Sequence, residues 1–414
     1  MGYKRKFIKS FSWMSVLQLV TRGTSLVKYA VLARLLTSSD IGSFGIVILI
    51  IGVSEIFSEF GIQTFLIQYK KNIENYISSA WLLQVLRGFL LFSIILALSL
   101  PTSLFFKQNS LLLLIILGAF NPLIKGFENS YIVSFQKELM FEKQFIYKFF
   151  IVIVDFLVSV SLIVITHSVI GLVFGMLFSS AFGTLYSWVY IEKKPKLKFN
   201  KAKIIKMIRY GRWININSII FYITTNMDIF ILGRIMGTST LGLYQISQKF
   251  SLIPMQEASD IFGQVTFPVY SKITGDLKRF RRAYVRILIS LMTIEFFIAI
   301  FLFFFSREII LTFLGSRWLT TESIFRTFIA YGLVSTFVST FGSFFLSIGR
   351  QDFLSKMSFL RIIILIPMMI YLISLFGVSG AIYSLILSLL VVLPFYVFNS
   401  VKVLNGSYTI ISHD

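Results

Sequence analysis

The sequence contains no cysteine, and only two of its 414 residues are histidine. The lack of cysteine excludes disulfide bonds and thiolate ligands, and the shortage of histidine argues against a histidine-based metal centre. Charged residues make up only 14% of the chain, whereas soluble domains carry roughly a quarter. So few charged residues cannot cover the surface of a chain this long in water. From the lack of cysteine and the shortage of histidine, we expect neither a metal site nor a resident cofactor.

Apolar residues, in contrast, are abundant: 56% of the chain is hydrophobic, and the mean hydropathy is +0.83. Apolar runs of about 20 residues, the length of a membrane-crossing helix, recur from end to end. We therefore predict an all-α polytopic membrane protein with about 12 transmembrane helices. The predicted spans are residues 11–31, 41–62, 78–100, 111–132, 146–166, 169–190, 212–233, 241–262, 287–305, 327–347, 357–376 and 378–401.

The remaining charge is strongly positive, with a net charge of +21. A basic chain can bind nucleic acid, but in a polytopic membrane protein excess Lys and Arg marks the cytoplasmic loops. Most of the 39 Lys and Arg residues fall on one side of the membrane when the N-terminus is placed inside. We predict cytoplasmic termini, no nucleic-acid partner, and contact between the basic inner loops and anionic membrane lipids.

One basic stretch lies between the two halves of the chain. KAKIIKMIRYGRW (Lys201–Trp213) places Ile204, Ile205 and Ile208 among Lys and Arg. This spacing predicts an amphipathic helix on the inner membrane surface. The predicted domains are an N-terminal lobe (1–192), a basic cytoplasmic linker (193–212) and a C-terminal lobe (213–414).

A phrase near the start of the chain recurs in its second half. LARLLTSSDIG (Leu32–Gly42) corresponds to LGRIMGTSTLG (Leu232–Gly242), 200 residues later. EIFSEFGIQTF (Glu55–Phe65) likewise corresponds to EASDIFGQVTF (Glu257–Phe267). Two matches in the same order indicate a duplicated six-helix unit. Because six is even, the copies are parallel repeats related by an axis along the membrane normal.

Three stretches resemble one known family. They are LARLLTSSDIGSFG (Leu32–Gly45), FSEFGIQTFLIQ (Phe57–Gln68) and DIFILGRIMGTSTLGLY (Asp228–Tyr244). They resemble bacterial flippases that export lipid-linked O-antigen, capsule or teichuronic-acid units, in the superfamily of the multidrug extruders and the lipid II flippase. The resemblance implies two six-helix lobes around a central cavity, alternating access and a location in the bacterial inner membrane. It further implies an undecaprenyl-pyrophosphate-linked oligosaccharide as cargo, no enzymatic activity, and a polysaccharide polymerase and chain-length machinery as partners.

Several cations fall within the predicted spans, where each costs roughly 2.5–3.5 kcal/mol at the helix centre. On span one, a single arc of the helical wheel holds Gln18, Arg22, Ser25, Lys28 and Tyr29. With no acid on that span, this face favours a solvated anion site, the alternative being a polar stripe that joins helices. A pyrophosphate cargo suits such a site. The predicted substrate-binding residues are Arg22, Lys28, Gln18, Ser25, Tyr29, Arg87, Lys125 and Arg361.

Span seven places an acid among neutral oxygen atoms. Asn217, Thr224 and Asp228 lie on one face of the predicted helix. Such a set can hold Na⁺ or a proton, and the carboxylate can equally pair with Arg22 or Arg234. The sequence leaves open whether Na⁺, H⁺ or the membrane potential drives transport.

The repeated charges are further candidates for coupling or gating. Glu55 and Glu257 lie near the inner ends of spans two and eight, and Arg34 and Arg234 lie at the outer mouth. Charges related by the repeat can latch the lobes, or they can simply meet headgroups at helix ends.

Other functions are weighed against the flippase. A multidrug or cation extruder of the same fold would favour acids and aromatics in its cavity. A membrane-embedded polysaccharide-assembly enzyme would need clustered carboxylates, a phosphate-binding Gly loop or a Ser/His pair, none of which the sequence suggests. A passive scaffold of an envelope-assembly complex is the third alternative.

Overall fold

The computed structural model describes residues 2–58, 61–69 and 73–405, and every regular element in these ranges is helical. The α-helices are α1 (Gly2–Leu35), α2 (Ser38–Phe57), α3 (Ile62–Gln68), α4 (Glu74–Phe105), α5 (Ser110–Gly126), α6 (Val133–Lys137), α7 (Phe141–Thr166), α8 (Ile170–Tyr190), α9 (Lys201–Ile273), α10 (Leu277–Phe304), α11 (Ser306–Ile309), α12 (Glu322–Ser347), α13 (Gln351–Phe376) and α14 (Val378–Leu404). Short 3₁₀ turns lie at Ser130–Ile132 and Ser316–Thr321, and a π-helical turn lies at Ile310–Leu314.

The helices coincide with the predicted spans. Within the described chain, nine helical segments are long and apolar enough to cross a membrane, and α5 with the bent segment Ser130–Lys137 makes a tenth. One of the nine, Ser218–Gly263, covers two predicted spans, because α9 is broken at Gly237. Helix α1 covers the remaining predicted span, 11–31. Each predicted span therefore corresponds to one helical segment.

The chain divides into two compact units. The first comprises Met1–Tyr222 and the short segment Gly237–Gly242, and the second comprises Ile223–Met236 and Leu243–Asp414. The predicted lobe boundaries at 192/193 and 212/213 differ from this division, because the basic linker and the start of span seven pack with the first unit. The lobe boundaries stay a prediction.

In the first unit, α4 packs on α5, α7 packs on α8, and α1 packs on α7. The α4–α5 contact is close because Gly88 and Gly126 oppose each other: a Cβ atom built on either glycine would lie 3.2 Å from the Cα atom of the other. Small residues at helix contacts allow such backbone approach in membrane bundles. Between α5 and α8, the Asn121 amide donates to the Ser180 hydroxyl at 2.7 Å. Polar pairs of this kind hold the inward faces together.

The second unit has a core rich in aromatic side chains. Helices α10, α12 and α14 pack together, with α13 against α14. The buried cluster at one end of these helices is Tyr270, Phe280, Tyr284, Phe341, Phe344, Phe345, Ile348, Phe353, Val392, Tyr396 and Val403. Large apolar side chains on the other faces, such as Phe297 and Phe304, are exposed, as expected for helices that face lipid.

The start of α9 is the predicted amphipathic helix, and part of its apolar face packs on protein. Ile204 and Met207 are buried in a cluster with Phe65 of α3 and Ile77 of α4. The basic side remains outward, with the Lys206 ammonium 5.3 Å from the centre of the Tyr69 ring. The sequence pattern identified the helix correctly, and its place on the inner membrane surface stays a prediction.

The extended segment before this helix is also attached to α4. The ammonium group of Lys193 donates to the carboxylate of Glu74. This hydrogen bond and the adjacent negative charge raise the pKa of Lys193 above its ordinary value. The backbone amide of Lys196 donates to Ser78, and Ser79 donates to the carbonyl of Lys198. The linker is therefore bound along the start of α4.

Candidate functional site

The repeated phrase marks a helix break in both halves of the chain. Thr37 lies between α1 and α2 and caps α2 in a capping box with Asp40. Gly237, 200 residues later, interrupts α9 with a φ of 82°, in the left-handed region that favours glycine. The same phrase therefore ends one membrane helix and starts the next in each copy, as the duplication predicts.

Within the first unit, the two copies of the phrase also touch each other. A Cβ atom built on Gly42 would lie 1.9 Å from the carbonyl oxygen of Thr238, and one built on Gly242 would lie 1.8 Å from that of Ser38. The hydroxyl of Ser38 is 2.9 Å from that of Ser239, and the hydroxyls of Ser39 and Thr238 are 2.8 Å apart. Both glycines are needed because backbone meets backbone at this crossing.

The polar arc of α1 is partly buried, as its composition predicted. Gln18, Arg22, Ser25 and Tyr29 are half-buried, and the opposite face, including Leu19 and Val27, is exposed. Each of Gln18, Arg22 and Tyr29 has an interaction with the surrounding structure. The arc is thus turned towards protein and polar groups, and its assignment to cargo binding stays a prediction.

The cation Lys28 has an acidic partner that span one by itself did not reveal. Its ammonium group donates to the carboxylate of Asp155 on α7 at 2.6 Å. The Lys28 side chain is 11% exposed and that of Asp155 is 31% exposed. The absence of an acid on α1 was therefore a poor guide, because the partner comes from another helix. In this conformation, Lys28 is engaged by protein.

Three predicted site residues from different spans meet at the C-terminal end of α2. Arg87 of α4 donates to the carbonyl of Glu55 at 2.6 Å and to the hydroxyl of Ser58 at 2.9 Å. Lys125 of α5 lies 3.5 Å from the carboxylate of Glu55, and its side chain remains 53% exposed. A guanidinium on the last carbonyls of a helix stabilises that helix end. Arg87 thus has a structural task here, while Lys125 is still accessible.

A second group of predicted residues surrounds Asp228 in the second unit. The hydroxyl of Tyr244 donates to the buried carboxylate of Asp228 at 2.5 Å. Arg361 of α13 donates to Ser388 of α14 at 3.3 Å and is close enough to Asp228 for a Coulombic interaction. Thr224 is buried one turn before Asp228. The Oδ1 atom of Asp228 is buried without a hydrogen-bond partner among the described residues. Tyr244 is thus the one side chain that donates to this carboxylate there, and whether Asp228 serves coupling or pairs with an arginine stays a prediction.

The remaining candidates are not brought into these groups. Arg34 and Arg234 are exposed at the ends of helical segments, and Glu257 is half-buried in the second part of α9. Each of the three has an interaction with the surrounding structure. The side chain of Asn217 lies outside the described residues. The gating role of the repeated charges stays a prediction.

Several polar partners in these sites were not assigned from the sequence. Tyr244 and Ser58 carry no pattern that marks them, because each acts through a contact between different helices or across a helix break. Glu295 and Thr336 meet between α10 and α12, with the Thr336 hydroxyl 3.3 Å from the Glu295 carboxylate. An acid within an apolar span is a signal available from sequence, but its neighbour on another helix is not.

The repeated helix breaks, the intramembrane ion pairs and the lipid-facing apolar surfaces define a polytopic all-α membrane protein of duplicated architecture. A comparison with known protein families identifies the family. A family described as polysaccharide biosynthesis proteins matches residues 31–323, which is more than half of the chain. The chain belongs to this family.

Individual relatives agree with this assignment. The lipopolysaccharide biosynthesis protein WzxC of Escherichia coli (strain K12) is 24% identical over 378 residues, covering 89% of this chain and 75% of WzxC. The teichuronic acid biosynthesis protein TuaB of Bacillus subtilis (strain 168) is 23% identical over 350 residues, covering 84% of this chain and 72% of TuaB.

Solved structures show the same fold. The lipid II flippase MurJ in an inward closed conformation matches with a TM-score of 0.76 and 16% identity, over 94% of this chain and 88% of MurJ. An inward-facing multidrug resistance MATE family transporter of the MOP superfamily matches with a TM-score of 0.74 and 12% identity, over 96% of this chain and all of that chain. The predicted fold class and family resemblance are confirmed.

Proposed function

We propose that this protein is a flippase that moves undecaprenyl-pyrophosphate-linked oligosaccharide units from the inner to the outer leaflet of the bacterial cytoplasmic membrane by alternating access. The observation that carries the proposal is the combination of membership in a polysaccharide biosynthesis family with a fold shared by MurJ, a lipid II flippase. The names of WzxC and TuaB point to the same class of cell-envelope glycans. On this proposal, the protein is a transporter and not an enzyme.

The cargo chemistry requires cations that can reach a pyrophosphate. Such a group carries about two negative charges and several acceptor oxygens, which Lys and Arg bind well. Lys125 supports this role because its side chain is half exposed and its contact with Glu55 is long, at 3.5 Å. Arg22 supports it because it lies midway along the half-buried polar arc of α1. We therefore assign these two residues to pyrophosphate binding.

The membrane potential favours movement of this cargo outward. Moving one charge across the membrane changes its free energy by about 2.3 kcal/mol per 100 mV. Two negative charges leaving an inside-negative cell therefore gain about 4–5 kcal/mol per 100 mV. Coupling to Na⁺ or H⁺ would add to this driving force. In this proposal both termini are cytoplasmic, the basic inner loops contact anionic lipids, and a polymerase and chain-length machinery receive the cargo.

The proposed function is tested in a strain that lacks this protein. We expect the strain to accumulate a lipid-linked glycan on the inner leaflet, and the wild-type gene to restore surface polysaccharide. Arg22→Ala should reduce export at least tenfold, whereas Arg307→Ala, which removes an exposed cation on α11, should not. Arg22→Lys should recover part of the activity because it keeps the charge. Normal surface polysaccharide and no accumulated lipid-linked glycan in the deletion strain would refute the proposal.

The multidrug extruder is a second candidate because the TM-score to a MATE transporter, 0.74, is nearly that to MurJ, 0.76. Fold likeness alone cannot separate the two functions. Purified protein should be stabilised against heat by an undecaprenyl pyrophosphate lipid and not by a cationic dye such as ethidium. Stabilisation by the dye alone would favour the extruder.

A further inference from the structure

The second unit contains a buried carboxyl group that the proposed cargo site does not use. Glu295 lies on α10 and is 0% exposed. It occupies a position in the inward stripe of the helix, between the buried residues Leu291 and Ala299. The opposite face of α10 carries exposed phenylalanines such as Phe297. An acid thus stands where the pattern of the helix calls for an apolar side chain.

The surroundings of Glu295 offer little to a negative charge. The hydroxyl of Thr336 on α12 lies 3.3 Å from Oε1 of Glu295, and Thr336 is itself buried. The second oxygen, Oε2, is buried and has no hydrogen-bond partner among the described residues. A carboxylate held by one long hydrogen bond in an apolar environment is strongly disfavoured relative to the neutral acid.

Charged groups on the neighbouring helices do not stabilise a negative charge on Glu295. The titratable residues on the elements around α10 are Arg307 and Glu308 of α11, Glu322, Arg326 and Tyr331 of α12, and Tyr383, Tyr396 and Lys402 of α14. Helix α9 reaches α12 through Met255 and Gly332 and packs on α10 through Tyr270 and Phe280. Its described titratable residues after Gly237 are Tyr244, Lys249, Glu257, Asp260 and Tyr270. On α10 itself the nearest are Tyr284 and Arg286. Within the described residues, none of them acts on Glu295 through a Coulombic interaction.

The geometry points to Glu295 as a proton-binding site. We propose that it holds a proton in this conformation and exchanges it with water when the transport cycle exposes it. A proton fits better than Na⁺, because the three oxygens of these two side chains are fewer than a metal cation requires. The coupling of this proton to transport rests on the proposed flippase function, whereas proton binding itself does not.

Infrared spectroscopy tests proton binding independently of transport. Purified full-length protein in lipid nanodiscs should show the carbonyl stretch of a buried protonated carboxylic acid, and this band should shift on deuterium exchange. Glu295→Gln should lose the band, and Glu322→Gln should keep it, because Glu322 is ion-paired with Arg326 at 2.7 Å. A band that is unchanged in Glu295→Gln would overturn the site. Because Gln has the shape of the neutral acid, the variant should have the wild-type melting temperature.

Transport in proteoliposomes tests the coupling. The cargo is the lipid-linked glycan extracted from the deletion strain. Wild-type transport should accelerate severalfold when a pH gradient is imposed, and Glu295→Gln should lose that acceleration, as expected if proton exchange is required. Equal acceleration in both proteins would overturn the coupling. If the wild type moved no cargo under any gradient, the proposed function and the coupling would both fail, while the infrared band would still support the proton site.

Discussion

The ion pair between Lys28 and Asp155 gives a quantitative test of how charges are held within the first unit. At 2.6 Å, two opposite charges attract by about 6 kcal/mol at an effective dielectric constant of 20. Removing both from water costs several kcal/mol per ion, so the net contribution of the intact pair is small. Leaving one charge behind without its partner is costly, at about 3–5 kcal/mol.

The single and double variants should therefore behave differently. We expect Asp155→Asn to lower the free energy of unfolding by about 3–5 kcal/mol, because the Lys28 side chain that remains is only 11% exposed. Lys28→Ala should cost less, because Asp155 is 31% exposed and can be partly solvated. The double variant Lys28→Met/Asp155→Leu should return to within about 1 kcal/mol of the wild type or exceed it.

Unfolding in mixed detergent micelles measures these changes. The matched control is Glu74→Gln, which breaks the Lys193–Glu74 pair, whose side chains are well exposed, and should change little. Additive single effects, with the double variant less stable than either single, would refute the reasoning. Measuring export gives a second test. If the only role of Lys28 is its ion pair with Asp155, the double variant should still export the cargo. Loss of export in a stable double variant would show that Lys28 also meets the cargo.

Two further predictions concern packing. Gly42→Ala should destabilise the protein by about 1–3 kcal/mol, because the new Cβ atom would lie 1.9 Å from the carbonyl oxygen of Thr238. The control Gly23→Ala, with nothing within 4 Å of the new Cβ atom, should be neutral or slightly stabilising. Thermal unfolding measures both variants, and equal melting temperatures would contradict the close helix crossing at Gly42. Met207→Ala should lower the free energy of unfolding by about 2–5 kcal/mol, because the Met207 side chain is buried within the first unit. Ile205→Ala should lower it much less, because Ile205 is 44% exposed. The opposite order in unfolding experiments would mean that the helix packs through its other face.

The two copies of the repeated phrase show which features the sequence predicts and which depend on the folded structure. The match between the copies predicts that the chain is duplicated, because similar local sequences fold into similar helix breaks. It does not predict that Gly42 and Gly242 lie against the backbone of the opposite copy. Their lack of side chains is visible in the sequence, but the helix crossing that requires it is a property of the folded first unit.

For the charged residues too, the sequence predicts one property, and the folded structure decides another. Burying a charge in lipid is so costly that each intramembrane Arg, Lys, Asp or Glu can be singled out from sequence as a site of interest. Which of them meet depends on contacts between helices far apart in the chain. Lys28 and Asp155 are separated by 127 positions, and Arg87 reaches Glu55 over 32 positions. No periodicity within one helix encodes these distances.

The sequence by itself determined the membrane environment, the helical spans and the duplication, because hydrophobic length and local repetition are properties of short segments that no later packing can reverse. Tertiary structure alone decided that Lys28 is neutralised by Asp155, that Arg87 caps α2, that the basic linker helix rests on protein, and that Glu295 faces a single hydroxyl. Each of these depends on the electrostatic and steric match between surfaces of different helices, which exists only after the helices have packed.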